Sequence, residues 1–578
     1  MFGWTGKILE VDLTGGVVRR EDLSPELLHD YIGGRGLAVR LLRERFRLDP
    51  FDPDIPLIFA NGPLCATKAP ASARMAIASR SPLTGTTFDA NCGGLFPLRL
   101  KGAGLDAVRI TGESSSPVVL AIRGEEAGLL PAGPLWGMGV GETIRTLASR
   151  GSVAAIGPAG ENGVLFAGIM TGDGHCPVRG GLGAVMGRKR LKAVVVNGDS
   201  SAEVADPARF DNASVDILRL FRASPVLLGD LGFAMYGTSA LVDLMNQRRM
   251  TPTENFRKTF YRGASGYSGP ALRKHYNICD DGCRDCPVGC IKGISPEQRL
   301  PDYDTLSHFG ALNDINTLPV ILDSGLACFD LGLDPVSAAA TISAWGEWRG
   351  RFAGGDEMEK LLADIARRRG DGDLLAEGSR RAMDALGAPH LSMSVKSLEL
   401  PAYDPRGGYG LALAFCTSNR GGCQMAAMPF SHEVLRKPVA TDRFSFAGKA
   451  RINKIAEDAI AAIDSMALCR FSFLGATLEE FSELLTAATG MEYTPDIVGR
   501  IGERIFLTER FYNSVNGFSA TDDMLPERFF REAGSGGDGV KIPPIDRSAF
   551  IEEMRKYYRV RGLTPDGTFA EDYLQSQY

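Results

Sequence analysis

The 578-residue sequence has no excess of basic residues, which argues against a nucleic-acid-binding protein. Its formal net charge is −6, whereas proteins that bind DNA or RNA usually carry a positive patch or stripe. It also has no apolar run of the about 18 residues that a membrane helix needs, so no membrane span is expected. Apolar residues still make up 44% of the chain, which is sufficient for a large buried core.

A secretion signal is also missing from the first 20 residues. They have the pattern of a strand and a turn, without the apolar segment of a signal peptide. The pair Arg19-Arg20 is followed by the acidic Glu21 and Asp22, whereas a twin-arginine signal continues with an apolar stretch. We therefore expect a cytoplasmic protein.

The apolar pattern divides the chain into a strand-rich part and a helical part. Leu9, Val11 and Leu13 alternate with acidic residues, as in a half-buried strand. Further strands are predicted from short apolar runs at residues 56–60, 75–78, 107–111, 118–122, 153–156, 164–169 and 193–196. Helical patterns dominate after Asp206-Pro207, and a stretch rich in Gly and Pro follows Pro401.

These patterns predict an α+β protein with three domains. A β-rich domain would span residues 1–205, and two mainly helical domains would span residues 206–400 and 401–578. No repeat with a period of roughly 20–50 residues is evident, which argues against a solenoid.

Four of the 11 cysteines crowd into residues 279–290. A secreted disulfide protein spreads an even number of cysteines through a short chain, whereas an intracellular chain that crowds its thiols more often holds a metal. The run Cys279-Asp-Asp-Gly-Cys283-Arg-Asp-Cys286-Pro-Val-Gly-Cys290 fits a four-cysteine zinc site or an iron–sulfur cluster. The spacing leaves both readings open.

Two glycine-rich segments lie among the predicted strands. They are Asn91-Cys-Gly93-Gly94 and Arg179-Gly180-Gly181, and either one alone is explained by a tight turn. Together with Arg74 and the run Gly33-Gly34-Arg35-Gly36, they indicate a site for an anionic ligand, because backbone NH groups and arginines bind anions. None of them matches a P-loop or a dinucleotide fingerprint.

Two six-residue windows share a pattern in distant parts of the chain. They are Phe329-Asp330-Leu331-Gly332-Leu333-Asp334 and Asp464-Ser465-Met466-Ala467-Leu468-Cys469. In each, a small residue and a Leu precede a polar or thiol residue. Chance explains such short windows, but a pair of loops that grips two similar ligand halves is the more specific hypothesis.

Over essentially its whole length the sequence resembles the aldehyde:ferredoxin oxidoreductase family of tungsten or molybdenum enzymes. The matching segments are Gly3-Trp4-Thr5-Gly6-Lys7-Ile8-Leu9, Gly33-Gly34-Arg35-Gly36, Ser81-Pro82-Leu83-Thr84-Gly85, residues 179–187, the cysteine run, Asp404-Pro405-Arg406-Gly407 and Thr417-Ser418-Asn419-Arg420-Gly421. The resemblance implies a tungsten or molybdenum ion held by two pterin dithiolenes at the domain interface, beside a [4Fe–4S] cluster.

The resemblance also implies a set of site residues. The cluster ligands would be Cys283, Cys286, Cys290 and the distant Cys469, and Cys279 would fall outside the set. Arg74, Asn91 and Arg179 match positions near the pterin phosphates and the Mg²⁺ that bridges them. The expected cofactor-binding set is completed by the neighbouring glycines and the paired loops, namely Gly93, Gly94, Gly180, Gly181, Asp330, Gly332, Leu333, Asp334, Asp464 and Leu468.

The sequence departs from the family at the positions expected to handle protons. The segment that carries a Glu in the family has Asp302 and Asp304 here, and the place of a His holds Cys423-Gln424. Gln is no general base near neutral pH. Asp304, His308 and Gln424 are therefore the candidate catalytic residues, with His432 as a further possible substitute.

The implied reaction is oxidation of an aldehyde to the carboxylic acid. Electrons would leave through the cluster to ferredoxin or to a small iron–sulfur subunit, and the chain would act alone or as a homodimer. Two alternatives stay open: the same cofactors acting on another carbonyl or activated acid, and a non-enzymatic binding subunit with a zinc-bound thiol loop.

Overall fold

The computed structural model describes residues 1–295, 298–536 and 538–570. The last eight residues of the predicted third domain, 571–578, lie outside this range. The first 200 residues carry two sheets, and the remainder is mainly helical. The predicted α+β class, with the strands first, is confirmed.

The larger sheet has six strands and mixed topology. In spatial order its strands are Val17–Asp22, Lys7–Asp12, Ala107–Thr111, Leu57–Asn61, Arg74–Arg80 and Thr87–Gly93. Only the pair Lys7–Asp12 and Ala107–Thr111 is parallel. Leu57–Asn61 is buried along its whole length, as expected for a central strand covered on both faces.

The second sheet has five strands in the described part of the chain. In spatial order they are Met170–Thr171, Ser152–Ala155, Leu191–Asn197, Val118–Arg123 and Glu126–Pro131. The predicted strand at residues 164–169 is wrong. Its backbone NH groups bond to separate segments, such as Leu165 to Ala376 and Gly168 to Gly332, so the run is a buried connection without a strand ladder.

Helices cover both sheets and form most of the chain after residue 206. Beside the sheets lie Pro25–Tyr31, Gly34–Leu41, Leu95–Gly102, Val140–Leu147, Pro158–Glu161 and Leu182–Arg188. The middle region contains Pro207–Ala223, Pro225–Leu228, Phe233–Tyr236, Leu241–Gln247, Gly269–His275, Tyr303–Phe309, Leu318–Leu331, Pro335–Trp348, Gly355–Ala366, Asp371–Leu375 and Gly378–Ala385. The C-terminal region contains Tyr409–Thr417, Phe430–Glu433, Lys449–Met466, Leu478–Thr489, Pro495–Val515, Arg528–Arg531 and Arg547–Val560.

Short 3₁₀ helices and small hairpins connect these elements. The 3₁₀ helices are Gly133–Leu135, Ala148–Arg150, Arg179–Gly181, Gly237–Ala240, Ala264–Tyr267, Ala311–Asn313, Pro389–Leu391, Pro405–Gly407, Gln424–Ala426 and Arg470–Leu474. The small antiparallel strands are Cys279–Asp280, Lys292–Ser295, Gln298–Arg299, Ser394–Val395, Leu398–Glu399, Gly534–Ser535 and Lys541–Ile542.

The helix Gly34–Leu41 packs between the larger sheet and the C-terminal helices Lys449–Met466 and Pro495–Val515. A Cβ atom on Gly34 would lie 2.2 Å from the backbone oxygen of Asp464. Glycine is therefore required for this close approach, and the Gly33–Gly36 run serves packing between two regions.

One stretch, Pro225–Gln247, is apolar enough by length and composition to be considered as a membrane span. It consists of four short helical segments with Gly229, Gly232 and Gly237 between or at the start of them. A membrane span needs one continuous hydrogen-bonded helix, and this stretch does not form one.

Candidate active site

Four thiols line one small cavity, which we call the thiol cavity. Cys283, Cys286 and Cys290 come from the loop between the strands Cys279–Asp280 and Lys292–Ser295, and Cys469 comes from the C-terminal region. The exposed Cys279 is not among its lining residues. The structure thus brings together the four predicted cluster ligands and leaves Cys279 outside the cavity.

Burial raises the pKa of the three thiols from the loop, Cys283, Cys286 and Cys290. The pKa of Cys286 is raised to about 11, and those of Cys283 and Cys290 are raised as well. The neighbouring thiols reinforce the effect, because one thiolate disfavours the next. Without a cation among them the thiols would keep their protons, and a metal that binds them must displace those protons.

Arg74 is the cation beside the thiol cavity. Its Nη2 donates to Sγ of Cys469 over 3.4 Å, and its Nη1 donates to Oδ1 of Asn91 over 3.0 Å. Burial alone would lower the pKa of Arg74, but the four surrounding thiols raise it overall. Arg74 therefore stays charged and favours the ionised form of the thiols.

Two larger cavities adjoin the thiol cavity. The large cavity has a volume of about 340 Å³ and is lined by His175, Phe329 and Leu333 among others. The acid cavity has a volume of about 280 Å³ and is lined by Asp304 and Gln424. Arg74 and Phe471 line all three cavities, so these two side chains form the walls that the cavities share.

The paired six-residue windows adopt the same backbone geometry. Each ends a long helix with a residue in the left-handed region, Gly332 at φ 76° and Ala467 at φ 71°. The following leucine donates its backbone NH five residues back, Leu333 to Cys328 over 2.8 Å and Leu468 to Ile463 over 3.1 Å. Both are therefore Schellman-type helix ends, and the sequence similarity reflects a structural pair.

The carboxylates of the two windows are held by arginines. Oδ2 of Asp334 accepts from Nε of Arg179 over 3.3 Å, and Oδ1 of Asp464 accepts from Nε of Arg470 over 2.8 Å. Asp330 lies elsewhere: it is exposed and accepts from the backbone NH of Gly141 over 2.9 Å. This position argues against the predicted cofactor role of Asp330.

A buried ionic network joins the Asp464 window to the N-terminal region. Arg35 donates to both carboxylate oxygens of Glu509, each over 2.7 Å, and its Nη1 lies 3.3 Å from Oδ2 of Asp464. Arg470 donates to Oδ2 of Asp89 over 2.8 Å. Each buried charge has an opposite partner, as a stable buried network requires.

The predicted glycines permit close backbone packing. A Cβ on Gly94 would clash with the carboxylate of Asp173, and one on Gly181 would lie 2.0 Å from the backbone oxygen of Leu165. Gly93 lies against the guanidinium of Arg74, and Gly180 lies against the ring of Phe88. These contacts explain why small residues occupy the four positions, independently of any ligand.

Asp304 and Gln424 meet in the wall of the acid cavity. Nε2 of Gln424 donates to Oδ2 of Asp304 over 3.2 Å, and the backbone NH of Ala402 donates to Oδ1 over 2.9 Å. Burial and the negative charge of Asp302 raise the pKa of Asp304 to about 7. The carboxyl group is thus balanced between its two protonation states near neutral pH.

The neighbouring Cys423 points away from this pair. Its Sγ accepts from Nη2 of Arg420 over 2.9 Å. Although burial alone would raise the pKa of Cys423, the guanidinium groups of Arg420 and Arg470 lower it overall. Cys423 and Gln424 occupy the place where the family has a His. Of these two residues, only Gln424 lines the acid cavity.

His308 is fully buried and is not among the residues that line the acid cavity. Its ring nitrogens lie 2.8 Å from the backbone oxygen of Asp304 and 3.1 Å from that of Leu400. Burial lowers its pKa to about 4, so the ring is neutral near pH 7. This geometry favours a structural role for His308, and His432 likewise contacts a backbone oxygen, that of Val439.

Several site residues were not identified from the sequence. Phe471 lines both larger cavities, Tyr403 lines the acid cavity, and His175 contacts Cys283. A single histidine or aromatic residue carries no spacing signal.

Family models match both parts of this architecture. The model described as aldehyde ferredoxin oxidoreductase, N-terminal domain, matches residues 8–198, and the model for domains 2 and 3 matches residues 212–577. The chain belongs to the aldehyde ferredoxin oxidoreductase family. The resemblance inferred from the sequence is confirmed, and the chain is an oxidoreductase of this family.

Members of the aldehyde ferredoxin oxidoreductase family match the chain over its full length. The tungsten-containing aldehyde ferredoxin oxidoreductase of Pyrococcus furiosus is 36% identical, over 100% of this chain and 99% of the relative. The enzyme of the same name from Thermococcus kodakarensis is also 36% identical, over 99% and 98%. A solved structure of the active site complex BamBC of benzoyl coenzyme A reductase has the same fold, with a TM-score of 0.83 at 23% identity over 100% of this chain and 97% of that one.

Proposed function

We propose that this chain is a tungsten-dependent oxidoreductase that converts an aldehyde to its carboxylic acid and passes the electrons through a [4Fe–4S] cluster to ferredoxin or a partner subunit. The observation that carries the proposal is the position of Arg74. It lies between a cavity lined by four thiols and a cavity whose wall holds the half-buried carboxyl group of Asp304. Electron transfer and proton transfer could therefore occur within one connected site.

The thiol arrangement supports a cluster over a single zinc ion. Zinc bonds sulfur at about 2.3 Å, so its ligands must converge closely. Within residues 1–295, 298–536 and 538–570, no three Cys, His, Asp or Glu side chains converge enough to hold one ion. Four thiols around a shared space suit a larger iron–sulfur group, with Cys283, Cys286, Cys290 and Cys469 as ligands.

Unpartnered polar atoms support a further ligand in the two larger cavities. Nε of Arg74 and Nδ2 of Asn91 are buried without a hydrogen-bond partner, and both residues line both cavities. Buried polar groups normally have partners, so these two donors fit the phosphate oxygens of the pterins. When bound, a tungsten bis-pterin would accept two electrons at once, and the cluster would release them singly.

Asp304 is the proposed proton acceptor. Oxidation of RCHO with H₂O to RCOOH releases two protons and two electrons, so a base must take up a proton. A pKa of about 7 suits this task, because a general base works best when its pKa is near the working pH. Gln424 would orient the carboxylate through its hydrogen bond to Oδ2.

Part of the wall of the acid cavity is apolar and aromatic. Leu241, Tyr303, Tyr403 and Phe430 are buried and apolar or aromatic, and all line the cavity. Such a wall binds the apolar body of an aldehyde, while the charged residues Arg74, Arg470, Asp302 and Asp304 line the rest of the cavity.

Metal analysis of anaerobically purified protein tests the proposal. We expect about one tungsten and about four iron atoms per chain, together with the visible absorption of an iron–sulfur cluster. A well-folded sample that contains zinc in place of iron and lacks both tungsten and molybdenum would contradict it. Molybdenum in place of tungsten would change the metal but keep the mechanism, since both take sulfur ligands.

Replacement of Asp302 by Asn should lower the pH at which the enzyme becomes active. The negative charge of Asp302 helps to raise the pKa of Asp304, so its removal should lower that pKa. Asn still caps the helix Tyr303–Phe309, where Asp302 accepts from the NH of Thr305. The measurement is the midpoint of the pH dependence of kcat/KM for aldehyde oxidation.

A matched control is Asp206→Asn, which alters the cap of the distant helix Pro207–Ala223 in the same way. Its midpoint should equal that of the wild type. An unchanged or raised midpoint in Asp302→Asn would show that Asp302 does not act on the titrating group.

A further inference from the structure

The imidazole of His175 contacts one of the four thiols. Its Nδ1 lies 3.4 Å from Sγ of Cys283, and the residue is 5% exposed. Its backbone oxygen accepts from the NH of Gly93 over 3.2 Å, which ties it to the segment that also carries Asn91. His175 is therefore held against the thiol cavity by its backbone as well as by its side chain.

The chemistry of a ligated sulfur decides the direction of this contact. A cysteine that binds iron has lost its proton, so its sulfur can only accept a hydrogen bond. The hydrogen must then come from Nδ1 of His175. A neutral imidazole has one N–H, and the backbone of Asp281 is the competing acceptor near the ring.

We propose that His175 donates its Nδ1–H to Sγ of Cys283 and thereby raises the reduction potential of the cluster. Reduction adds negative charge that is shared by the sulfurs, and a donor to a sulfur stabilises the reduced form. The inference rests on the proposed function, because it requires the cluster. His175 acts through a ligand and is thus a positioning and tuning residue.

The effect of His175 is separable from that of Arg74. Arg74 contacts Cys469, which lies outside the loop that carries the other three thiols, and it also carries a full charge next to all four thiols. His175 contacts Cys283 through one ring nitrogen, so its removal changes one hydrogen bond to a single ligand. A potential shift in a His175 variant would report that bond.

The test is a redox titration of the cluster in anaerobically purified holoenzyme, followed by its electron paramagnetic resonance signal at one fixed pH. His175→Leu removes the donor and should shift the potential to a more negative value. His175→Asn places an amide NH at the same distance from Cβ as Nδ1, so its potential should lie near that of the wild type. His275→Leu changes an exposed histidine outside the three cavities and serves as the control.

Several outcomes would overturn the inference. An unchanged potential in His175→Leu with full iron content would do so, as would an equal shift in His175→Asn and His175→Leu. If His175→Leu loses its cluster, wild-type enzyme containing ¹⁵N-histidine decides: a nitrogen coupling to the reduced cluster supports the bond, and its absence refutes it. Absence of any cluster in the wild type would instead contradict the proposed function.

Discussion

Replacement of Asp304 by Asn should lower kcat/KM for aldehyde oxidation by roughly 10²- to 10⁴-fold, the usual contribution of a general base. Asn is nearly isosteric, and its side-chain oxygen can still accept from the NH of Ala402. It cannot accept a proton near neutral pH. The iron content should equal that of the wild type, because Asp304 is not among the residues that line the thiol cavity, and the tungsten content should be kept because Asn has nearly the same shape.

The pH dependence gives a second readout of the same substitution. Burial and the charge of Asp302 raise the pKa of Asp304 to about 7, so wild-type activity should rise as the pH passes through 7. The rise should be absent in Asp304→Asn. The exposed Asp323 provides a matched control, because Asp323→Asn should keep both the activity and the pH profile.

Stability should change in the opposite sense to activity. A carboxyl group whose pKa is higher in the folded state stabilises the fold when protonated, and this stabilisation is lost as the pH rises from about 4 towards 7. The Asp304→Asn variant has no carboxyl group at this position, so it does not lose this stability as the pH rises. Its unfolding midpoint relative to the wild type should therefore be higher at pH 8 than at pH 4. Wild-type activity in the variant would assign the base to another group.

A local signal in the sequence located the start of the helix Pro207–Ala223 correctly. Asp206-Pro207 begins this helix in the structure, because a capping side chain and a proline in the first turn act within a few residues. The apolar run at 164–169 has no such local rule. Its partners, Ala376 and Gly332, are far away in sequence, and so its lack of a strand could not be foreseen.

The candidate site likewise depends on contacts between residues that are far apart in the sequence. The cysteine run and the paired windows carry spacing signals, and the structure gathers the thiols in one cavity and gives the two windows the same type of helix end. The contact of His175 with Cys283 joins residues that are 108 positions apart, and the raised pKa of Asp304 depends on burial. Spacing contains neither kind of information. The predicted domain boundaries at 205 and 400 stay predictions.

Replacement of Cys469 by Ser should remove most of the iron while most of the tungsten stays bound. Cys469 is the one thiol of the four that does not come from the loop between Cys279–Asp280 and Lys292–Ser295. The Schellman-type end of the helix Lys449–Met466 and a bond from its own NH to the oxygen of Ala71 fix its position. Serine oxygen is a poor ligand for iron in such clusters, since these prefer soft thiolates.

The variant would also leave Arg74 beside three thiols in place of four, which weakens the attraction that holds their ionised forms. Iron and acid-labile sulfide per chain, with the visible spectrum, measure the loss. Cys279→Ser is the matched control: Cys279 is exposed and outside the thiol cavity, so this variant should keep its full iron content. Full iron in Cys469→Ser, or loss of iron in Cys279→Ser, would mean that the fourth ligand is another residue.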